Sequence, residues 1–360
     1  MVRRVSAVRL TSARDVARAL TPLAGVPGAL FFGVLWVLRG DLEYFNVDYF
    51  LPNPNSNSPC CLCPADVETM HEYRTGRIQW LRQIYTRAQF FCTEFCTHLL
   101  FHRVHAGISS LTIVPDLLHA KHLGTDQYFY ASVIWLLVFV VLGTGDAAGN
   151  LEEVVRQIRR AYDSFSVPIR FQHITLRMFC DRKDPPRAYP QLKGRGAECR
   201  HLGVALQKVW EDNMDVADAH HVRINIALKC SARIERILTD NKDCFRFPAL
   251  VATEFKDQIF EFLVIFNALA ALFSGQLGVE LFDIIVKAHY LAHIGLLGIY
   301  MNPRLGWAYS GEDMMHHCKR LMSSVVRGTK PQLTSEKFSL RYTVGMHIKF
   351  CGDQRHPLLF

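Results

Sequence analysis

The sequence has no internal repeat, no low-complexity segment and no compact polybasic tail. It also has little charge for its length: charged residues make up 21% and hydrophobic residues 50%, which is an ordinary globular composition and excludes a largely disordered chain. With 360 residues, the chain can bury a sizeable core. We therefore expect either one large domain with an insertion or two domains.

Apolar runs long enough to span a bilayer are also lacking. The run Ala131–Leu142 is shorter than the roughly 20 residues that a membrane span needs, and Phe260–Phe273 is interrupted by Asn267. Both runs are therefore interpreted as buried core elements. A helical membrane protein is kept as the third interpretation, and a membrane partner is disfavoured.

The N-terminal segment has arginines but no long apolar stretch before a cleavage site, so it predicts an amphipathic helix and not a secretory signal. The expected compartment is intracellular and reducing. Eleven cysteines cannot all pair within one chain. Clustered cysteines and histidines are therefore better interpreted as metal ligands than as disulfides.

The net charge of +8 permits a polyanionic partner but does not require one, because the basic residues are dispersed along the chain. DNA is the partner we expect, and a small-molecule substrate is not. A weak set of candidate DNA-binding residues lies in and after the Pro- and Gly-rich linker 181–196: Arg182, Lys183, Lys193, Arg195 and Arg200.

Two strands are predicted in the first part of the chain. The continuous apolar run Ala29–Leu38 is typical of a buried strand in a mostly parallel sheet, and Asp41 follows its end. Leu111–Val114 is a short second strand, followed by Asp116. Because open α/β sheets bind ligands at the carboxyl ends of their strands, both acids lie where a site is expected.

The remaining elements are mostly helical. A helix is predicted over Tyr73–Val104, a buried helix or a helix–strand pair over 123–142, and a helix capped by Asn150 with Glu153 completing a capping box. Three further periodic runs cover 197–213, 219–239 and 250–300. We expect an N-terminal helical segment (1–28), an α/β core (29–148), a helical insertion (149–300) and a C-terminal helix with its tail (301–360).

Two pairs of residues have the spacing of metal ligands. Cys60 and Cys63 form a C-x-x-C in a proline-bounded loop, and two thiolates at that spacing can share a tetrahedral zinc ion. His289 and His293 are four residues apart on a predicted helix and so share one face. Either pair alone is also explained by an ordinary loop or by half-buried histidines. Competing candidates are Cys92, Cys96, His98, His102 and His105.

Three acidic residues have positions that favour a catalytic role, although each also has a simpler explanation. Asp41 and Asp116 end strands, where aspartate is often only a turn residue. Glu312 opens a helix that Ser310 is predicted to cap, and acids in a first turn simply complement the helix dipole. Glu198 is a competing acid, ranked lower because it does not follow the histidine pair.

Taken in order, these residues resemble the catalytic region of DDE transposases of the CACTA and Transib kind. The chain has Asp41, then Cys60 and Cys63, then Asp116 and His119 in a D-x-x-H, then the two histidines and Glu312. Cys60 follows Asp41 by 19 positions, and Glu312 follows His293 by the same distance. The resemblance covers residues 30–330.

The resemblance implies an RNase H-like α/β fold with a large α-helical insertion, helix-rich overall. Asp41, Asp116 and Glu312 would then bind two catalytic Mg²⁺ ions, supported by His119, for phosphodiester cleavage and strand transfer. Cys60, Cys63, His289 and His293 would hold a structural zinc ion. A nuclear location follows, and a homodimer is an assembly the sequence allows.

The chain departs from the family at its start. The family's first catalytic aspartate lies upstream of the residue that matches Asp41, and Asp15, the one acid in that stretch, matches nothing. We therefore expect an N-terminally truncated, inactive copy of a transposon-derived DNA-processing core. The alternative is a non-catalytic, zinc-stapled module for DNA binding or assembly.

Overall fold

The computed structural model describes residues 38–40, 42–74, 78–93, 110–143, 145–179, 189–328 and 330–353, without the side chains of 38–40, 44, 111, 310–317 and 346–353. The protein is helix-rich, with 66% of residues helical and 1% in strands. This confirms the helix-rich part of the predicted fold class. An α/β core of the RNase H type is not shown, since the described residues form one small sheet of two strands.

The chain divides into two compact units, Met1–Trp307 and Ala308–Phe360. The sheet belongs to the first unit and pairs β1 (Leu38–Gly40) in parallel with β2 (Ile113–Pro115). Gly40 lies opposite Pro115 in the register. Helix α1 (Leu42–Tyr49) follows β1 almost at once. Residues 29–37 of the predicted first strand lie outside the described residues, whereas the short second strand is confirmed with its bounds shifted toward Pro115.

The helix predicted over Tyr73–Val104 is wrong for the part that the structure describes. Residues 51–74 form a loop, followed by one 3₁₀ turn at Trp80–Gln83 and by the short helix α2 (Arg87–Phe91). Thr86 caps α2 in a capping box with Gln89. The reason is local: capping at Thr86 starts a separate helix, and Trp80 turns inward to become fully buried.

The segment 118–141 is helical on both sides of a kink at Leu123 and Gly124 and contains no strand, so the helix–strand alternative is wrong. A π-helical stretch (Leu118–Thr125) leads into α3 (Asp126–Leu136) and a second π-helical turn (Leu137–Val141). The next helix, α4 (Ala147–Ser164), begins earlier than predicted, because Asp146 caps it by accepting from Gly149 N. Asn150 instead donates its side-chain amide to Val138 O at 2.8 Å.

After α4, the described residues of the first unit form five α-helices, and all but the first of these are long. The short helix α5 precedes the linker 181–196. Residues 180–188, which include the first half of that linker, lie outside the described residues. The bounds are α5 Leu176–Phe179, α6 Gly196–Asn213, α7 Ala219–Asp240, α8 Ala249–Ala270 with a π-helical end at Ala271–Gln276, and α9 Val286–Leu297. Helix α7 packs on α6 and α8, α8 also packs on α9, and α4 packs on α6.

The predicted helical run 250–300 is interrupted between α8 and α9. Gly278 takes a positive φ of 66°, which a glycine adopts without steric cost. The chain then folds inward, and Phe282 is fully buried against Phe129, Phe266 and Phe273. Burial of this aromatic side chain overrides the local helical periodicity.

Two helical segments are apolar and long enough to cross a membrane, Leu118–Val141 and Ala249–Gln276. The first is mostly buried within the protein and carries Lys121, His122 and Asp126, all of them buried. The second buries one face, which includes Phe255, against its helical neighbours. Core helices pass the same length and composition test, so these two segments are weak evidence for a membrane protein.

The second unit contains two helices, α10 (Tyr309–Val326) and α11 (Pro331–Asp353), which pack against each other. Helix α10 begins at Tyr309 with Ala308 in the capping position, so the prediction that Ser310 caps it is wrong. Glu312 lies in the first turn of α10, as the sequence indicated. Arg341 of α11 donates to Ser324 O at 3.2 Å.

Candidate metal centre

The C-x-x-C loop is buried and held at several points. Cys60 and Cys63 have 1% and 0% of their surface exposed. The hydroxyl of Tyr290, on α9, donates to Pro59 O at 3.0 Å, and Tyr85 N donates to Leu62 O at 2.9 Å. Leu62 N donates to Cys60 Sγ at 3.3 Å, which turns the loop so that both sulfurs face the same side. The loop is therefore a fixed part of the core.

Helix α9 presents His289 and His293 to this loop. The two residues are one turn apart, so their side chains leave the helix on the same face, and both are buried. Trp80 packs against both rings, with centroid distances of 4.5 Å to His289 and 5.1 Å to His293. The indole therefore closes one side of the cluster.

The four donor atoms have the spacing of a tetrahedral metal site. Cys63 Sγ lies 3.3 Å from His289 Nε2, Cys60 Sγ lies 3.4 Å from His293 Nε2, and the two Nε2 atoms are 3.1 Å apart. A tetrahedral zinc ion with ordinary bond lengths would set its sulfur–nitrogen edges at about 3.6 Å and its nitrogen–nitrogen edge at about 3.3 Å. The cluster is thus only slightly tighter than the shell of a bound zinc ion.

A contact behind His289 sets its tautomer. His289 Nδ1 lies 2.9 Å from Met70 O, an acceptor, so the proton belongs on Nδ1 and Nε2 is left with a free electron pair. That electron pair faces His293 Nε2 and Cys63 Sγ. These three atoms are acceptors that lie close together. A cation bound between them would make them its ligands.

The electrostatics of the buried cluster also fit a divalent cation. Burial raises the pKa of the Cys60 thiol well above its ordinary value. Burial holds the pKa of His293 well below its usual range. Two thiolates balance the charge of one divalent ion, which removes the cost of burying them unpaired. The buried Cys₂His₂ cluster could therefore hold a metal such as zinc.

The competing metal ligands do not join this cluster within the described residues. Cys92 is exposed at the end of α2. Cys96, His98, His102 and His105 lie outside the described residues. The sequence prediction that paired the C-x-x-C with the two α9 histidines is therefore the one that the structure brings together in space.

Asp116 lies directly after β2 with its carboxylate nearly closed to solvent. Oδ1 accepts from Leu118 N at 3.0 Å, Oδ2 accepts from His119 N at 3.3 Å, and His119 Nδ1 is bonded to Oδ2. Asp116 and His119 line a small cavity together with Leu42 and Lys287. The carboxylate thus anchors the start of the π-helical stretch and orients His119.

The other two predicted catalytic acids cannot be placed against Asp116. Asp41 lies outside the described residues, although its chain neighbours Gly40 and Leu42 are described. Glu312 belongs to the second unit, and its side chain is not described. Glu198, the competing acid, accepts from Arg195 N at 2.9 Å and caps α6. Its position is explained by that structural role.

The predicted DNA-binding residues differ in their surroundings. Arg182 and Lys183 lie outside the described residues, and Lys193 is exposed. Arg195 is exposed and paired with Glu198 at 2.7 Å. Arg200 is mostly buried, pairs with Glu235 at 2.8 Å and lies over the Trp307 ring. Arg200 therefore belongs to an ion pair in the protein interior more than to the protein surface.

A buried ionic network was not anticipated from the sequence. Lys121 Nζ lies 2.9 Å from Asp126 Oδ2, 2.9 Å from Ser231 Oγ and 3.2 Å from Glu235 Oε1. Glu235 also bonds His122 Nε2 at 2.8 Å. Burial raises the pKa of Asp126, whereas for Glu235 the neighbouring His122 and Lys121 outweigh burial and hold its pKa well below normal. The signal in the sequence that could have predicted this network is the presence of charged residues inside the apolar segment 118–141.

His122, Asp126 and Glu235 are close enough together to hold a metal ion. The Lys121 ammonium already bonds both carboxylates. It supplies the positive charge that such a site would otherwise need, so we interpret this cluster as a structural ion-pair network.

Comparisons with known protein families, with curated proteins and with solved structures give no match.

Proposed function

We propose that this chain is a transposon-derived DNA-processing core of the DDE type, held together by a zinc centre. The observation that carries the proposal is the Cys₂His₂ cluster. The cluster joins two of the motifs that resemble the family, with residues as much as 233 positions apart, and their donor atoms meet at ligand spacing. Chance pairing of two weak motifs at that separation would not be expected to give this geometry.

The strand pair gives further support. Because β1 and β2 are parallel and Gly40 lies opposite Pro115, the residues that follow both strands leave the sheet at the same edge. Asp41 follows one strand and Asp116 follows the other in the sequence. An RNase H-like core, with these acids at its active edge, is the finer fold that we propose.

Magnesium belongs to the proposal as an expectation. Carboxylates are the ligands that Mg²⁺ prefers, and in this chemistry the ions activate a water or a DNA 3′-hydroxyl and stabilise the leaving oxygen. At the strand edge, the described residues that line the cavity supply one carboxylate, Asp116. Its own role there is to orient His119 and to accept from the following backbone amides.

A zinc-stapled module that binds DNA or supports assembly without cutting it is the second candidate. The bonding of Asp116 favours it, because both carboxylate oxygens already serve the local fold. In either case DNA is the proposed partner and the nucleus the proposed location. A homodimer remains an assembly to test by measuring mass in solution.

Nicking of supercoiled plasmid tests the proposal. The purified chain is incubated with Mg²⁺ or with Mn²⁺, beside Asp41→Asn and Glu312→Gln. We expect no cleavage, since both carboxylate oxygens of Asp116 already accept hydrogen bonds from the local backbone, and we expect salt-sensitive binding to the same plasmid. Cleavage lost in both variants would instead show a working DDE site. Cleavage that survives both, or no DNA binding at any salt concentration, would refute the assignment.

A further inference from the structure

A groove of about 700 Å³ runs between α6, α7 and the loop that follows α4. It is separate from the Cys₂His₂ cluster and from the cavity beside Asp116. Four basic and two acidic side chains line it. The basic ones are Arg200, Lys229, Arg233 and Arg236, and the acidic ones are Glu235 and Asp240. The groove therefore favours an anionic occupant.

One wall of the groove is a basic stripe on α7. Lys229, Arg233 and Arg236 follow one another at helical spacing, so they lie on one face of the helix. At 1.5 Å per residue they cover about 10 Å of helix.

The cations of the stripe are available to a ligand. Lys229 pairs with Glu211 at 2.9 Å and Arg233 pairs with Glu254, and all four side chains are partly exposed. The exposed pair of Lys229 is of a kind that contributes little, whereas Arg233 donates two hydrogen bonds to Glu254 and is held more firmly. Arg236 is exposed and has no ion-pair partner among the residues that the structure describes.

The opposite wall is apolar and presents an aromatic ring. Phe165 closes α4 and has 47% of its surface exposed. Ser166 follows with a positive φ of 50°, and Val167 N then bonds back to Tyr162 O at 2.9 Å. This helix-ending turn fixes the backbone beside Phe165 and buries Val167. The phenyl ring therefore has a defined place at the groove.

Below the stripe, the ionic network holds the floor. Arg200 donates to Glu235 at 2.8 Å and to Thr239 Oγ1 at 3.2 Å. Its positive charge is thus neutralised by a neighbour that is itself largely buried. The positive charge that faces a ligand comes from α7, whereas Arg200 holds α6 and α7 in register.

We propose that this groove binds a single strand of nucleic acid, with Lys229, Arg233 and Arg236 on its phosphates and Phe165 stacked on a base. Cationic grooves with an exposed aromatic ring bind single strands in this way, because every base has a face that can stack. In a duplex the bases are already stacked on each other, so Phe165 would have nothing to contact. The inference deepens the proposed DNA-processing function by naming the surface that holds an unpaired strand.

Fluorescence anisotropy of the full chain with a labelled 20-nucleotide single strand tests the proposal. Log affinity is plotted against log salt concentration for the wild type, Arg236→Glu, Arg236→Gln and Arg246→Glu. Arg246 is exposed and does not line the groove, so it is the charge-matched control. We expect Arg236→Gln to reduce the slope by about 0.7, the value for one contact to a single strand, and Arg246→Glu to leave it unchanged.

Phe165→Ala separates stacking from charge. We expect it to weaken single-strand binding about tenfold while the salt slope stays the same. Equal weakening by Arg236→Glu and Arg246→Glu would refute the groove, as would a Phe165→Ala variant that binds like the wild type. Competition by an acidic phosphopeptide as strong as by the oligonucleotide would assign the groove to a protein partner and refute the proposal.

Zinc content and thermal unfolding of each variant show whether the fold is intact. A wild type that holds zinc and binds the plasmid but does not bind the single strand would refute the groove alone. Single-strand binding that tracks the groove residues, in a chain that fails the nicking and plasmid tests, would keep the groove and refute the proposed DNA-processing function.

Discussion

Cys63 Sγ and His289 Nε2 lie 3.3 Å apart, and both residues are completely buried. This contact joins the loop after the first helix to a helix near the end of the first unit. Without a metal ion, the protein would bury a thiol and an imidazole there with few hydrogen bonds to either group. The contact belongs to a cluster that could hold a metal ion such as zinc, and loss of that cluster should destabilise the whole unit.

Cys63→Ser should abolish metal binding and destabilise the protein, because ligation free energy is part of the folding free energy. We expect about one zinc per chain in the wild type by elemental analysis and almost none in the variant, with a lower midpoint of thermal unfolding. Cys92→Ser is the matched control, since Cys92 is exposed and lies outside the cluster. A wild type that purifies folded and metal-free would contradict the zinc centre.

Lys121→Met should destabilise the protein by about 3–5 kcal/mol, because it leaves Asp126 as an uncompensated buried charge. Urea unfolding measures the loss. Lys208→Met removes an exposed pair with Asp212 and should cost less than about 1 kcal/mol. Similar losses in the two variants would show that the buried network contributes no more than a surface pair.

Gly203→Ala should destabilise the protein by about 1–3 kcal/mol. A Cβ at this position would lie 2.4 Å from the Tyr130 hydroxyl, which bonds Ser231 Oγ at 2.8 Å inside the network. Gly275→Ala is the matched control, since a Cβ there meets nothing within 4 Å. Unfolding midpoints of the two variants are compared, and equal midpoints would show that α6 does not approach Tyr130 so closely.

His71 should make the protein less stable as the medium becomes acidic. Burial lowers the pKa of His71 from 6.5 to about 4. Between these two values the unfolded chain binds a proton that the folded chain does not, so this contribution is complete above pH 6.5 and is lost as the pH falls toward 4. The full effect approaches 1.4 kcal/mol for each pH unit.

The measurement compares urea unfolding of the wild type and of His71→Gln at pH 7.5 and pH 5. Glutamine can still bond the Tyr73 hydroxyl, which lies 3.0 Å from His71 Nδ1. Protonation of the metal ligands affects both proteins alike and cancels in the difference. We expect the variant to gain stability relative to the wild type on going to pH 5; an unchanged difference would mean that His71 titrates normally.

The sequence by itself determined the helices of the insertion, because their apolar residues recur at helical spacing. In α4, the predicted face with Val154, Ile158 and Tyr162 is buried. The same periodicity placed α6 and α7 within a residue of their observed bounds. Ligand spacing alone left several cysteines and histidines as candidates, and the resemblance carried by the order of the motifs predicted which of them pair.

Packing in the tertiary structure sets the positions at which a helix predicted from local periodicity is interrupted. Trp80 and Phe282 are drawn into the core at places where the local pattern predicts an uninterrupted helix. The same holds for Lys121, Asp126 and Glu235. A buried ion pair depends on an exact meeting of three helical segments, and no single segment records its partner. Spacing along the chain specifies a face; what lies across from that face is set by the packing of the whole unit.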